Sequence, residues 1–519
     1  MININIKFNV KFFLLIFASS LFLSCSTSRY NTYITSPLPV EKLKKDVDKA
    51  QKLLVKYHPK LDWYIAADSL NSKFDSLRNN ITAPMTSRAF FENLSPVIYS
   101  VRQGHNRLRP ALLKLTSQQK ANSKGIKAPI AQFVYMIDDN RLFIVENQSA
   151  DSIIQAGTEV IAINGESVQE ILKKCYSSFT SDGYNTTFFP RFAAENFPKI
   201  CTALYPEWKD SIYFTFQNDE IVRKIYGISV KESKEQKKPD VRTLSFLTTD
   251  SIIAIMKISH FRAGNYQEFY QKSFATLSAA KTQTLVIDLR NNPGGALREI
   301  SYLYSFLTDS AFIFTDKAEV TSPYSCAFHG KSLSVLLAGK NILSKFVATL
   351  LYPIIYTTSS TIDLLSVSKE QDGKYYYSYS SAKWKQPNRN RFTGNIYVLA
   401  NGGSFSASCI LLSNLQGSKR AFVVGEETGG AYNGTVAGRM ITKTLPASKL
   451  RLTVGMQAIQ PHYKSSIEGR GIFPDKEIVP TIENRINQQD HELEWIKNLI
   501  IANRRLAFSR YLWKCYKII

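Results

Sequence analysis

The chain predicts an α/β core of βαβ units, preceded by a helical segment and a small β-rich domain. Three observations carry this. Short, continuous apolar runs at Thr284–Leu289, Asn395–Ala400 and Ala421–Gly425 read as buried strands, and Thr284–Leu289 has no polar face to expose. The first two pass through a glycine turn into a helical pattern. Arg290-Asn-Asn-Pro-Gly-Gly295 leads into 296–306, and Asn401-Gly-Gly-Ser-Phe-Ser406 leads to Ala407, Ile410, Leu411 and Leu415 on one helix face. Apolar residues recur at helical spacing from Val40 to about Ser100, whereas 128–230 carries short β-rich runs.

The elements follow in order. Lys7 and Lys11 precede the apolar run Phe12–Leu23, then Ser24 and Cys25, so residues 1–24 read as a secretory signal too short for a transmembrane helix. The small residue before Cys25 resembles a bacterial lipobox, which implies lipidation of Cys25, with 25–39 as a tether. Residues 40–125 are expected to be a helical domain, with Leu43, Val47, Ala50 and Leu54 on one stripe and Leu70, Phe74 and Leu77 on another. It runs into Gly104-His105; a lone histidine is by itself more often surface or core than catalytic.

Residues 126–230 hold Ile154–Val168, a glycine turn, strand, Asn-Gly turn and helix that resemble a PDZ domain, a module that binds extended peptides by strand addition. The stretch Tyr176–Leu204 reads as an elaboration of it, and the charged run Lys231–Asp240 as a boundary. The α/β unit is expected over 241–489, with 318–394 as an insertion or lid, and 490–519 as a C-terminal helix with a basic tail.

Composition bounds the function. A chain of 519 residues with 44% hydrophobic and 12% aromatic residues has room for two or three ordinary cores. The formal charge of +23 invites nucleic acid, yet Lys and Arg are scattered and no nucleic-acid motif accompanies them. A surface attracted to anionic lipid fits better, and no nucleic-acid partner is expected. The cysteines show no CxxC spacing, so neither a disulfide framework nor a metal site is indicated, and Cys175 and Cys201 are free to pair or not. No cofactor is expected.

A strand, a glycine turn and a serine-loaded helix start suit a nucleophile, since the first helical N–H groups lack partners and can stabilise an oxyanion. The alternative is that Ser404, Ser406 and Ser408 only cap the helix. The order TLVIDLRNNPGG, NGGSFSAS, VVGEETGG, EGRGIFPD resembles the C-terminal processing and tricorn-type (tail-specific) family of serine peptidases, from about Val40 to Glu494. The resemblance implies a ClpP/crotonase-like core and Ser406 as nucleophile. One branch of the family uses a lysine base, but its position here is Ala431. The tricorn-type branch instead implies His105 as base with Glu468 beside it, titrating near the ordinary histidine value of about 6–7. It also implies an oxyanion hole from the backbone N–H of Ala407 and of Gly294 or Gly295. Asp288 and Arg290 are read as a structural ion pair. The expected function is a lipid-anchored envelope endopeptidase acting on peptides or unfolded proteins, facing periplasm or exterior. The alternatives are a binding module for peptides or hydrophobic ligands, with 340–356 lining a pocket, or an esterase.

Overall fold

The computed structural model describes residues 27–217, 222–229, 240–262, 264–324, 357 and 361–516. The expected signal, Cys25, most of the charged run after Lys231 and the apolar stretch 340–356 lie outside them.

The chain is a mixed α/β structure built on three large sheets. The central sheet runs Arg242–Phe246, Ile253–Ile258, Thr284–Asp288, Asn395–Ala400, Phe422–Gly425, Lys476–Glu477, parallel after its first, antiparallel pair. Every residue of Thr284–Asp288 is buried, because helices cover one face and the C-terminal helix the other. Asp288 lies beside Leu399, and Leu399 beside Val424. The loops 290–295, 401–406 and 426–430 therefore leave the carboxyl ends of three neighbouring strands at one sheet edge, where open α/β sheets place their sites.

A second sheet pairs Thr435–Thr444 with Arg451–Ile459 and adds Ala318–Val320, Tyr375–Tyr377 and Val367–Lys369. Three described strands of the expected insertion or lid thus belong to a sheet. Its tyrosine-rich strand pairs on both sides, which a sequence rich in exposed-looking polar residues does not announce. The same sheet takes Arg107–Arg109 at its edge, with Leu108 opposite Leu452. That pairing joins the helical start to the rest of the chain.

The helical start forms as its periodicity predicts: Val40–Tyr57 buries Leu43, Val47, Ala50 and Leu54, and Ala67–Asn80 buries Leu70, Phe74 and Leu77. The third sheet, antiparallel, contains Phe133–Asp138, Arg141–Asn147, Thr158–Ile163, Ser211–Phe216 and Arg223–Tyr226. Asn164 and Gly165 turn tightly at φ 51° and 80° into Glu166–Ser167 and the helix Val168–Tyr176. One apolar cluster joins this sheet, the helical start and 441–456. Cys175 and Cys201 are buried in it as free thiols. Among the described residues no helix is long and apolar enough to cross a membrane.

Buried Asp46 fixes the helix Val40–Tyr57 to the 447–448 turn. Its Oδ1 accepts from the Ala447 N–H at 3.1 Å, and its Oδ2 from the Ser448 N–H and hydroxyl, both at 2.6 Å. Asp46→Ala strands these buried donors and is expected to destabilise the protein by about 3 kcal/mol. The urea unfolding midpoint reads this, and an unchanged midpoint would refute the role.

Candidate active site

Ser406 occupies the N-cap of the helix Ala407–Gly417 at φ 56° and ψ −117°, a conformation costly for a residue with a Cβ, and its side chain caps nothing. The flanking serines are structural. Ser404 Oγ donates to the Leu289 carbonyl at 2.8 Å, and Ser408 Oγ to that of Asn292 at 3.0 Å. Asn292 also accepts the Phe405 N–H at 2.9 Å, and its side chain donates to the Ile258 carbonyl. Asn401 Oδ1 accepts the N–H groups of Asn291 and Gly403, both at 2.9 Å. The Pro-Gly-Gly turn and the serine turn are thus sewn together through buried amides.

His105 Nε2 lies 2.9 Å from Ser406 Oγ, across 301 positions of sequence. Two buried neighbours position it. Gln103 Oε1 accepts the Val436 N–H at 3.2 Å, and Asn106 Oδ1 faces the Gly455 N–H at 3.4 Å, so the loop is tied to the second sheet on both sides of the histidine. The imidazole packs on Phe405, their ring centroids 5.4 Å apart. A Cβ at Gly104 would stand 2.5 Å from the Phe405 ring, which is why glycine precedes the histidine here. Desolvation, then the nearby charges of Arg107 and Arg262, push the imidazole down to about 3, so it is neutral at physiological pH and well below the expected histidine range.

The two glycines of the turn differ. Gly294, at φ 92°, packs so closely that a Cβ would sit 2.6 Å from the Phe405 carbonyl and 2.7 Å from the Ala407 nitrogen. Its N–H is already donated to Asn292 Oδ1 at 2.9 Å. The N–H groups of Gly295 and Ala407 have no hydrogen-bond partner among the described residues. Both residues line a cleft of about 870 Å³ with Ser406 and His105. Of the two expected glycines, Gly295 is therefore the one with a donor to spare.

Glu468 does not reach His105. Its Oε1 accepts from Asn433 Nδ2 at 2.9 Å and its Oε2 from Trp63 Nε1 at 3.2 Å. Its loop is pinned beyond it: the Tyr184 N–H donates to the Gly469 carbonyl at 2.6 Å, and Glu427 forks to Arg470 while accepting the Gly471 N–H. These contacts leave Glu468 exposed, and no hydrogen bond joins it to the histidine. Ala431 is buried against Gly471, and no lysine lines the cleft among the described residues. Nor could any cluster of His, Cys, Asp or Glu among them hold a metal ion. Asp288 does pair with Arg290, at 2.8 Å, and Arg290 extends the pairing to Asp490 and Glu492 of the C-terminal segment.

Sequence reasoning passed over the segment Thr180–Phe188 as elaboration, yet it touches the His105 loop, Phe405 and the 426–430 loop. Asp182 Oδ1 accepts the Gly104 N–H at 2.8 Å. The Gly183 N–H donates to the Arg102 carbonyl, Asn185 Nδ2 to Gly429 at 2.7 Å, and Thr187 Oγ1 to Glu427 at 2.9 Å. The available signal was the run Asp-Gly-Tyr-Asn, turn-forming residues between two aromatic stretches.

A strained serine at a strand-to-helix turn, a neutral imidazole on its hydroxyl and free N–H groups beside it define a serine hydrolase of α/β type. Residues 252–478 match the family model described as peptidase family S41, and the chain is a serine peptidase. The fold is similar to that of mature CPAF, with a TM-score of 0.61 and 16% identity over 89% of this chain and 97% of that one. Mature CPAF complexed with lactacystin gives a TM-score of 0.59 and 15% identity over 89% and 98%. At these identities the likeness is one of fold. No curated protein matches the chain.

Asp182 carries a pH signature. Burial raises its carboxyl to about 7, against the hydrogen bond from Gly104. The folded state then holds a proton that the unfolded chain releases near pH 4. Its contribution to stability is greatest below that value and falls as pH rises to 7. Asp182→Asn, which keeps an acceptor for Gly104, is expected to gain stability over the wild type between pH 4.5 and pH 8. Thermal midpoints compared at the two values check this; a constant difference would contradict it.

Proposed function

We propose that this serine peptidase is a lipid-anchored envelope endopeptidase in which Ser406 attacks and His105 is the general base. The 2.9 Å approach of His105 Nε2 to Ser406 Oγ carries the reading, because no local structural need joins residues 301 positions apart. As Ser406 Oγ bonds to the peptide carbonyl carbon, His105 Nε2 takes its proton. The carbonyl oxygen becomes an oxyanion facing the N–H groups of Ala407 and Gly295. His105 then protonates the leaving amine as the C–N bond breaks; a water molecule, deprotonated by the same nitrogen, bonds to the acyl carbon, and as the bond to Ser406 Oγ breaks His105 returns the proton to that oxygen. Each oxyanion donor of this kind contributes about 10²–10³ in rate. Glu468 takes no part in holding His105 here, since both its oxygens are engaged elsewhere.

A fluorophosphonate probe tests the nucleophile, with expected labelling of the wild type and none of Ser406→Ala. Ser406→Ala and His105→Ala are each expected to lower kcat by at least about 10⁴-fold. Glu468→Gln is expected to stay within about tenfold of the wild type in kcat. Labelling without turnover of any unfolded protein, alongside turnover of simple esters, would favour an esterase. Absence of labelling would favour a binding module. A loss on Glu468→Gln as deep as that on His105→Ala would restore a Ser-His-Glu arrangement.

In this reading the PDZ-like sheet over 133–226 receives extended peptide by strand addition. The basic and apolar leader ending at Ser24-Cys25 supports an anchor at Cys25. In a bacterial host, Cys25→Ala is expected to abolish incorporation of radiolabelled palmitate and to move the protein out of the membrane fraction. Palmitate incorporation unaffected by the substitution would reject the anchor.

A further inference from the structure

A second cavity, of about 530 Å³, adjoins His105, with Phe179, Phe188 and Phe192 on its wall together with Arg107 and Arg109. Arg262 lines both this cavity and the Ser406 cleft. The strand Arg107–Arg109 turns Leu108 into the core, so alternation presents both arginines on the opposite face. None of the three guanidinium groups has a carboxylate or hydrogen-bond partner among the described residues. Other arginines of the chain behave differently: Arg242 pairs with Glu299, Arg290 with three carboxylates and Arg470 with Glu427. Arg107 and Arg262 lie close enough to each other, and to His105, for their charges to act on one another. Glu195 is the one acidic residue lining the cavity among the described residues, and Lys199 on the same helix acts on it.

Three cations gathered without a counterion repel one another, and they are positioned to take up an anion from solution. We propose that Arg107, Arg109 and Arg262 form a carboxylate-binding subsite beside Ser406 and His105, which selects peptides bearing an acidic group near the cleaved bond. The proposal rests on the peptidase reading of that pair. The aromatic wall accommodates apolar side chains next to the acid. A bound carboxylate also offsets the positive charges that disfavour the imidazolium, so the substrate brings to His105 the negative charge that Glu468 does not. The carboxylate belongs either to an Asp or Glu side chain or to the C-terminus of the peptide.

Binding to Ser406→Ala protein isolates the subsite from turnover. Fluorescein-labelled peptide pools, one containing Asp and Glu and one with Asn and Gln in their place, are each prepared as free acid and as C-terminal amide. The amidated acidic pool is expected to bind about tenfold more tightly than the amidated neutral pool if side chains are the source. Tighter binding of the neutral free acid than of its amide assigns the terminus instead; either result supports the subsite. The additional substitutions Arg107→Gln and Arg262→Gln should bring the ratio close to one. Lys419→Gln with Lys476→Gln, an equal loss of charge at exposed positions lining neither cavity, should preserve it. Equal binding of all pools, a preference that survives loss of the arginines, or one lost equally with the lysines would overturn the proposal. Failure of the wild type to react with fluorophosphonate bears on the peptidase reading alone.

Discussion

The turn at Ser406 is the constraint around which the rest of the structure is arranged. A serine at φ 56° and ψ −117° does not hold itself there; neighbours must make every relaxed alternative worse. They do so by proximity. Gly294 lies under the 405–407 backbone, and Gly430 packs against Cys409 and the Ser406 nitrogen, where side chains would collide. Asn292 and Asn401 then lock the two loops with hydrogen bonds made inside a dry sheet edge, where an unmade bond costs most. The strain lifts the hydroxyl clear of its own helix and leaves the Ala407 N–H unused, the two things acyl transfer needs.

The imidazole that faces Ser406 arrives from outside this unit, and one short strand brings it. Pairing of Arg107–Arg109 with Arg451–Thr453 fixes register, and Gln103 and Asn106 remove the remaining freedom on either side of His105. Asp46 secures the same helical segment further back. The matched family segment, 252–478, contains Ser406 but not His105. Completion of the site is therefore a matter of tertiary assembly, and any change that loosens that strand pairing separates His105 from Ser406 with both residues intact.

What the sequence disclosed follows from where the determinants lie. The parallel strands, the glycine turns and the helical stripes are written in neighbouring residues, and they formed close to the expected bounds. The strand Tyr375–Tyr377 reads in the sequence as part of an insertion or lid because its stability comes from partners at Ala318–Val320 and Val367–Lys369, not from its own pattern. Thr180–Phe188 was passed over because its role is a set of contacts with loops up to hundreds of positions away. Glu468 illustrates the converse: its motif is present, but loop anchoring by Tyr184 and Glu427, invisible in the motif, directs the carboxylate to Trp63 and Asn433.

Electrostatics binds these features into one picture. His105 is packed on Phe405 and lies within the influence of two arginines, so the free protein favours neutral imidazole and resists imidazolium. As the proposed base, such an imidazole always stands ready to accept the serine proton but holds it poorly. Acyl transfer must therefore lower the cost of the charged intermediate with charge supplied during the reaction. In the proposed mechanism the oxyanion forming beside Ala407 and Gly295 contributes part of this, since it develops close to the imidazolium as the proton moves. Unpaired guanidinium groups beside the imidazole make the balance depend on what else occupies the cleft: an anion there favours proton retention, and a neutral occupant does not. The proposed subsite would thus couple reactivity at Ser406 to the charge of the chain bound beside it.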